Sequence, residues 1–236
     1  MKTLFLIGHV FSACLQCLVL PFFPYSVRSH LVHCWSKQLL GIFNMNLVIH
    51  GEKEQFTQQK SSLVVSNHIS WIDIHVINAI SPVVFVAKSD VASWPIFGWV
   101  ARRIGTIFIV REKLSDIKRV LNLMHQCLSQ NKKVCIFPEG TSTDGNTVLN
   151  FRSNLFQAAI NANVDVLPIC IQYKEYEKYS DVTAFIGDMG LLDSIRKIIR
   201  APKIDVHVHI LDPIKELDTR HNLAIQAYQD ILRKIS

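Results

Sequence analysis

Charged side chains are sparse in this 236-residue chain: Asp, Glu, Lys and Arg supply 19% of it, against 49% hydrophobic residues. So much apolar surface excludes an intrinsically disordered chain. No internal repeat or low-complexity tract is present, which excludes a solenoid or a linker-rich array. The six cysteines lie scattered in apolar surroundings rather than at scaffold spacing, so no disulfide framework is expected. Cys14 and Cys17 form a C-x-x-C, but no second pair or neighbouring histidine completes a zinc site. Helix-turn-helix spacing, zinc-finger pattern and aromatic RNA-binding strand are all missing, so no nucleic-acid partner is expected from the net charge of +6 and pI near 9.0. An anionic lipid leaflet is the other partner that such a charge favours.

Between Leu4 and Phe23 there is no formal charge at all. At about 1.5 Å per residue a helix of that length can cross a hydrocarbon core of about 30 Å. His9, Ser12 and Gln16 interrupt the run, Pro21 and Pro24 end it, and a partly apolar segment from Val27 to Phe43 follows with Arg28, His33, Trp35 and Lys37. The pair predicts a membrane-associated helical segment over residues 1–44, sunk into one leaflet with basic and aromatic groups at headgroup level. A cleaved signal peptide is the rival reading, but no A-x-A site follows the apolar stretch.

From residue 45 to 236 short β-rich runs alternate with segments of helical period, which predicts an α/β domain with a mostly parallel central sheet flanked by helices. The expected strands are Asn46–His50, Leu63–Ser66, Val83–Ala87, Thr106–Val110, Lys133–Phe137, Val166–Gln172, Val182–Ile186 and Ile204–Leu211. Helices are expected over Ile72–Asn78, Ser115–Gln130, Phe151–Asn161, Leu191–Arg200 and Thr219–Ile235. In such sheets ligands gather beyond the carboxyl ends of the strands, which directs attention to the residues after Ser66, Val110 and Phe137.

After the second expected strand the chain reads Asn67-His68-Ile69-Ser70-Trp71-Ile72-Asp73. Five helical steps turn about 500°, so on one continuous helix His68 and Asp73 would diverge by about 140°. They meet if His68 lies on the turn and Asp73 in the first helical turn, with Ser70 as N-cap. Asp73 then holds one imidazole nitrogen and leaves the other to take a proton from a hydroxyl. The alternative is a capping-box-like Ser70/Asp73 pair with His68 a plain turn residue. Two further blocks place polar groups at strand ends: Gly105-Thr106-Ile107-Phe108-Ile109-Val110-Arg111 and Phe137-Pro138-Glu139-Gly140-Thr141-Ser142.

These blocks, with Leu167-Pro168-Ile169 and in this order, resemble the glycerolipid acyltransferase family, best known for the lysophosphatidic acid acyltransferases; the likeness runs from about Leu63 to Gln172. The resemblance implies that His68 is a general base and Asp73 its orienting partner. It implies that Arg111 binds the acceptor headgroup, that Lys88 lies near the acceptor, and that Glu139, Gly140, Thr141 and Ser142 shape its pocket. It also implies an acyl-CoA or acyl carrier protein donor, a lysolipid acceptor, no cofactor, and an active site on the cytoplasmic face of a membrane. Lysophosphatidic acid, acylated at its sn-2 hydroxyl, is the expected acceptor.

Alternatives stay open at several positions. Arg111 can instead pair with Glu112 or Asp116, and Glu139 can brace a loop by accepting backbone N–H bonds. Family members that act on lysophosphatidic acid carry Arg after E-G-T, whereas this chain has Ser142-Thr143-Asp144-Gly145 and then Phe151-Arg152-Ser153, a pattern resembling the relatives that acylate lyso-ornithine lipid. A hydrolase and a catalytically inactive lipid-binding protein are further readings. His207 and His209 share one strand face, but as two ligands without a third they read as a polar, partly exposed face, and no metal is expected. Arg102, Arg103, Lys132, Lys133, Arg196, Lys197 and Arg200 are either a membrane-facing basic surface or merely solvated.

Overall fold

A computed structural model describes residues 1–110, 113–216 and 218–235. The chain begins with α1 (Lys2–Val19) and α2 (Tyr25–Ile42). It continues through β1 (Met45–His50), α3 (Lys53–Gln58), β2 (Leu63–Ser66), α4 (Asp73–Asn78), β3 (Val84–Lys88), α5 (Phe97–Arg103) and β4 (Ile107–Ile109). Then follow α6 (Leu114–Ser129), β5 (Val134–Ile136), α7 (Gln157–Ala162), β6 (Val166–Glu175), β7 (Lys178–Tyr179), α8 (Leu191–Arg200), β8 (Ile204–Ile210) and α9 (Arg220–Ile235). The strands form a single sheet in the order β1-β8-β6-β2-β5-β3-β4, with β7 folded back on β6. All pairings are parallel except β6 with β7 and β6 with β8, so the fold is the mostly parallel α/β class that the strand–helix alternation predicts.

Strand alternation sends side chains to two cores. Val64, Leu167, Ile169, Ile171 and the even-numbered residues of β8 pack with α2, α4 and α8. Leu63, Val65, Val166 and Cys170 pack with α6, α7 and α9. Each fully buried Ile or Leu contributes about 1.5–3 kcal/mol relative to exposure, and burial on both faces explains why β2 and β5 read as unbroken apolar runs. Helix α1 buries His9, Ala13 and Cys17 and leaves Phe5, Ile7, Phe11, Leu15 and Leu18 in the open. Among the described residues it is the helix long and apolar enough, by length and composition, to cross a membrane. Trp35 joins the helical pair to the body: its ring stacks on His9 at 4.5 Å and meets His75 of α4 edge-on at 5.0 Å.

Three expectations need correction. Val182–Ile186 is a loop rather than a strand: Ala184 N–H donates to Asp181 O and Phe185 N–H to Ile69 O, so the segment turns and hangs on the chain after β2 instead of joining a ladder. The helix expected from Phe151 begins as a 3₁₀ turn over Ser153–Phe156 and is α-helical only from Gln157. Lys133 does not belong to a basic surface, because its ammonium is buried, donating to Phe56 O and Ser81 Oγ, and burial pushes its pKa down to about 8. Short α3 and α5 lack the length over which a helical period is legible in sequence.

Beyond the last backbone pair of β2 the ladder is continued by a side chain. Asn67, fully buried, donates from Nδ2 to Ile171 O at 2.9 Å and accepts from Ile171 N–H at 2.8 Å. Asn67→Ala leaves both groups of Ile171 buried and unpaired, and a loss of about 2–4 kcal/mol of unfolding free energy is expected in denaturant titration. A loss under about 0.5 kcal/mol contradicts this account.

Candidate active site

Strands β2, β5, β3 and β4 run in the same direction, so the residues that follow them share one edge of the sheet. His68 follows β2, Glu139–Ser142 follow β5, and Lys88 ends β3. Arg111 lies outside the described residues, as does Glu112. Asp116 accepts from Val110 N–H at 2.6 Å and from Arg119 at 2.6 Å.

His68 sits on the turn and Asp73 opens α4. His68 Nδ1 lies 2.9 Å from Asp73 Oδ2, with the imidazole 23% exposed and the carboxylate fully buried. The same oxygen accepts the N–H groups of Ile69 at 2.8 Å and Ser70 at 2.9 Å, and Oδ1 accepts the Tyr173 hydroxyl at 2.6 Å. A carboxylate with this set of donors makes Nδ1 the protonated nitrogen and leaves Nε2 with its lone pair on the accessible side of the ring. Burial, together with the Asp73 charge, holds the Tyr173 phenol well above its ordinary value, so it stays a donor. The imidazole is stacked at 4.2 Å on Phe137, which itself packs on Phe85.

Ser70 is not the N-cap that the sequence suggests. The helix is preceded by Ile72 with no side-chain cap, and the Ser70 hydroxyl is buried without a hydrogen-bond partner. Only the acidic arm of the capping-box pattern forms: Asp73 accepts Ser70 N–H, and the reciprocal bond from the serine hydroxyl is missing.

Glu139 braces two chain segments at once. Its Oε1 accepts His68 N–H at 2.6 Å and its Oε2 accepts Leu149 N–H at 2.8 Å. Of the two roles open in the sequence, the geometry is that of the brace, and both oxygens point into the fold. Burial raises its pKa to about 7, against the pull of these N–H donors. Between the anchors, residues 140–148 wrap the histidine turn: Thr143 N–H donates to His68 O at 2.8 Å, and Ser142 Oγ donates to Phe185 O. Gly140 takes φ +84°, and Gly145 takes φ +97° with its Cα so close that a Cβ would stand 2.8 Å from Ile69 Cδ1; glycine is required there. Thr141 is exposed, and Lys88 is exposed and paired with Asp90 at 2.5 Å.

A cleft opens beside Phe137, lined by Val86, Ile109, Ile136, Pro138 and Leu155, with Gly140, Arg152 and Asn154 contributing polar groups. The arrangement offers a fixed base, a greasy binding volume and a cation within one neighbourhood. Tyr173 and Phe185 are site residues that the motif blocks do not reveal; Tyr173 is 100 positions from Asp73.

Known proteins resemble this chain to different extents. A model of the Acyltransferase family matches residues 47–172. A lyso-ornithine lipid O-acyltransferase of Pseudomonas aeruginosa is 33% identical over 207 residues, 87% of this chain and 78% of that protein. A 1-acyl-sn-glycerol-3-phosphate acyltransferase of Neisseria meningitidis is 32% identical over 146 residues, 62% of this chain and 57% of its own length. The fold matches the crystal structure of the 1-acyl-sn-glycerophosphate (LPA) acyltransferase PlsC from Thermotoga maritima with a TM-score of 0.68 at 18% identity, covering 100% of this chain and 96% of that one.

Because burial raises Glu139, its protonated form stabilises the fold at pH values below the unfolded pKa of 4.5, and that contribution is lost as pH rises through about 7. Across this window wild type should lose on the order of 3 kcal/mol relative to Glu139→Gln, read from urea unfolding at successive pH values. Parallel curves for the two proteins would refute the assignment.

Proposed function

Since this chain belongs to the Acyltransferase family and is an acyltransferase, we propose that it transfers a fatty-acyl group from an acyl thioester to the free hydroxyl of a lysolipid at a membrane surface, with His68 as general base. The observation that carries the reading is the His68 imidazole, tied at Nδ1 to a buried, four-times-bonded carboxylate and accessible at Nε2. Nε2 takes the acceptor's hydroxyl proton as the oxygen attacks the thioester carbonyl. The tetrahedral adduct collapses, the C–S bond breaks, and the thiolate leaves with the proton from the imidazolium. Asp73 stays ionised and offsets the transient cation. The oxyanion of the adduct needs an N–H donor beside the attacked carbonyl.

The donor is acyl-CoA or acyl carrier protein, with no cofactor, and the exposed apolar face of α1 lies in the cytoplasmic leaflet. His68→Ala should lower turnover by about 10²- to 10⁴-fold while circular dichroism is unchanged. A folded variant with near-wild-type turnover excludes the mechanism.

For the acceptor we favour lyso-ornithine lipid over the lysophosphatidic acid expected from the sequence. An ornithine headgroup carries an ammonium and a carboxylate, which suit Asp144 in the wrapping loop and Arg152 in the cleft. Ser142, bonded to Phe185 O, puts a neutral hydroxyl at the position after E-G-T where the lysophosphatidic acid enzymes carry an arginine. The names of the relatives support both acceptors, and the lyso-ornithine enzyme aligns over the larger share of this chain. If the acceptor is lyso-ornithine lipid, Ser142→Arg and Asp144→Asn each weaken its use, the latter by about 1.5–3 kcal/mol in apparent kcat/KM. A lysophosphatidic acid enzyme responds oppositely, gaining from Ser142→Arg. Ser142→Ala, which releases Phe185 without adding charge, separates loop loosening from electrostatics when labelled donor is assayed with both lysolipids.

A further inference from the structure

Two imidazoles on one strand face acquire a third from a neighbouring strand. His50 of β1 is the register partner of His209 on β8, and His207 lies two residues along the same face. His50 Nε2 is 3.0 Å from His207 Nδ1, and the His50 ring stacks on His209 at 4.3 Å and on His207 at 5.2 Å. One nitrogen from each residue lies within 4.8 Å of the others. His207 Nε2 is buried and has no hydrogen-bond partner. We infer that His50, His207 and His209 form a site for a divalent transition-metal ion of the zinc class.

The chemistry of the donor set fits. Zinc–imidazole bonds of about 2.0–2.1 Å place tetrahedral ligand nitrogens about 3.4 Å apart, so the widest separation must close by about 1.4 Å, within reach of a ring rotation. Neutral imidazole is the commonest protein ligand of such an ion. The adjoining cleft is lined by His50, His209, Asp212 and Asp230, leaving a carboxylate or water to complete the shell. The carboxyl end of α9 also faces this region, since Gln172 Nε2 donates to Lys234 O, and a helix C-terminus favours a cation. Lys174 and Lys234 oppose it electrostatically.

The site is remote in role from His68. His207 and His209 pair with Gln172 and Cys170, whereas Tyr173, the partner of Asp73, points to the opposite face of β6. A bound ion there would clasp edge strand β1, and α2 immediately before it, to β8. The structure therefore assigns the ion a stapling role.

The test uses the full chain after chelator dialysis, with Zn(II) competed against a chromophoric chelator and Co(II) absorption as a second readout. One Zn(II) per chain is expected with micromolar or tighter affinity, weakened at least about tenfold in His50→Ala, His207→Ala and His209→Ala. It should be unchanged in a Cys14→Ala/Cys17→Ala protein. Zn(II) should raise the Tm of wild type and not that of the histidine variants. Should one of these unfold, His207→Gln, which keeps much of the side-chain volume, serves instead. Absence of stoichiometric binding, equal binding by the histidine variants, or loss only in the cysteine variant would each overturn the inference.

Discussion

The Asp73 carboxylate is the interaction on which the site's geometry depends. It is fully buried and accepts from His68 Nδ1, the N–H groups of Ile69 and Ser70, and the Tyr173 hydroxyl. An ionised carboxylate out of water is costly unless its lone pairs are occupied. Here they are occupied by groups from the turn before α4 and from β6, so the charge can stay buried only while those segments keep their places. The acid thus fixes the path of the turn, the tautomer of the imidazole and the rotation of Tyr173 together.

That demand propagates outward through backbone groups. The turn leaves β2 at Asn67, whose amide continues the pairing with β6 that backbone atoms have stopped making. It is held from the β5 side by Glu139 at His68 N–H and from the following loop by Thr143 at His68 O. The histidine's own N–H and C=O are therefore bonded to the E-G-T segment, whereas its side chain is bonded to α4. A base fixed at main chain and ring together loses little rotational freedom when a substrate arrives, which is what positioning contributes to catalysis.

Much of this was legible in the sequence, for identifiable reasons. The His68–Asp73 contact is local, and turn geometry at a five-residue separation restricts how the two can meet. The positions to inspect at the active edge follow from buried apolar runs that each end in polar residues. The Asn67–Ile171 and Asp73–Tyr173 bonds join positions about 100 apart and leave no periodic trace. Nor does the third histidine of the β1–β8 cluster, 157 residues from its partner. Val182–Ile186 carries the composition of a strand, but it turns back at Ala184, whose N–H donates to Asp181 O, and its amide at Phe185 is taken by Ile69 O. The capping pattern at Ser70 is half realised, because Asp73 accepts the Ser70 N–H while the Ser70 hydroxyl is buried and caps nothing.

The chemistry and the choice of acceptor rest on parts held with different firmness. The dyad hangs on strands and on fully buried polar bonds, so a substitution there disturbs the sheet as well as the base. Residues 140–149 are instead held largely through their own main-chain groups: Thr143 N–H to His68 O, Leu149 N–H to Glu139, and the carbonyl of Asp144 from the Tyr179 hydroxyl. Main-chain bonds persist when a side chain is exchanged. Ser142 and Asp144 can therefore differ between relatives without moving His68, whereas Gly145, pressed against Ile69 at φ +97°, cannot. On the proposed function, headgroup preference can change through the side chains of this loop while the His68 imidazole stays where the sheet puts it.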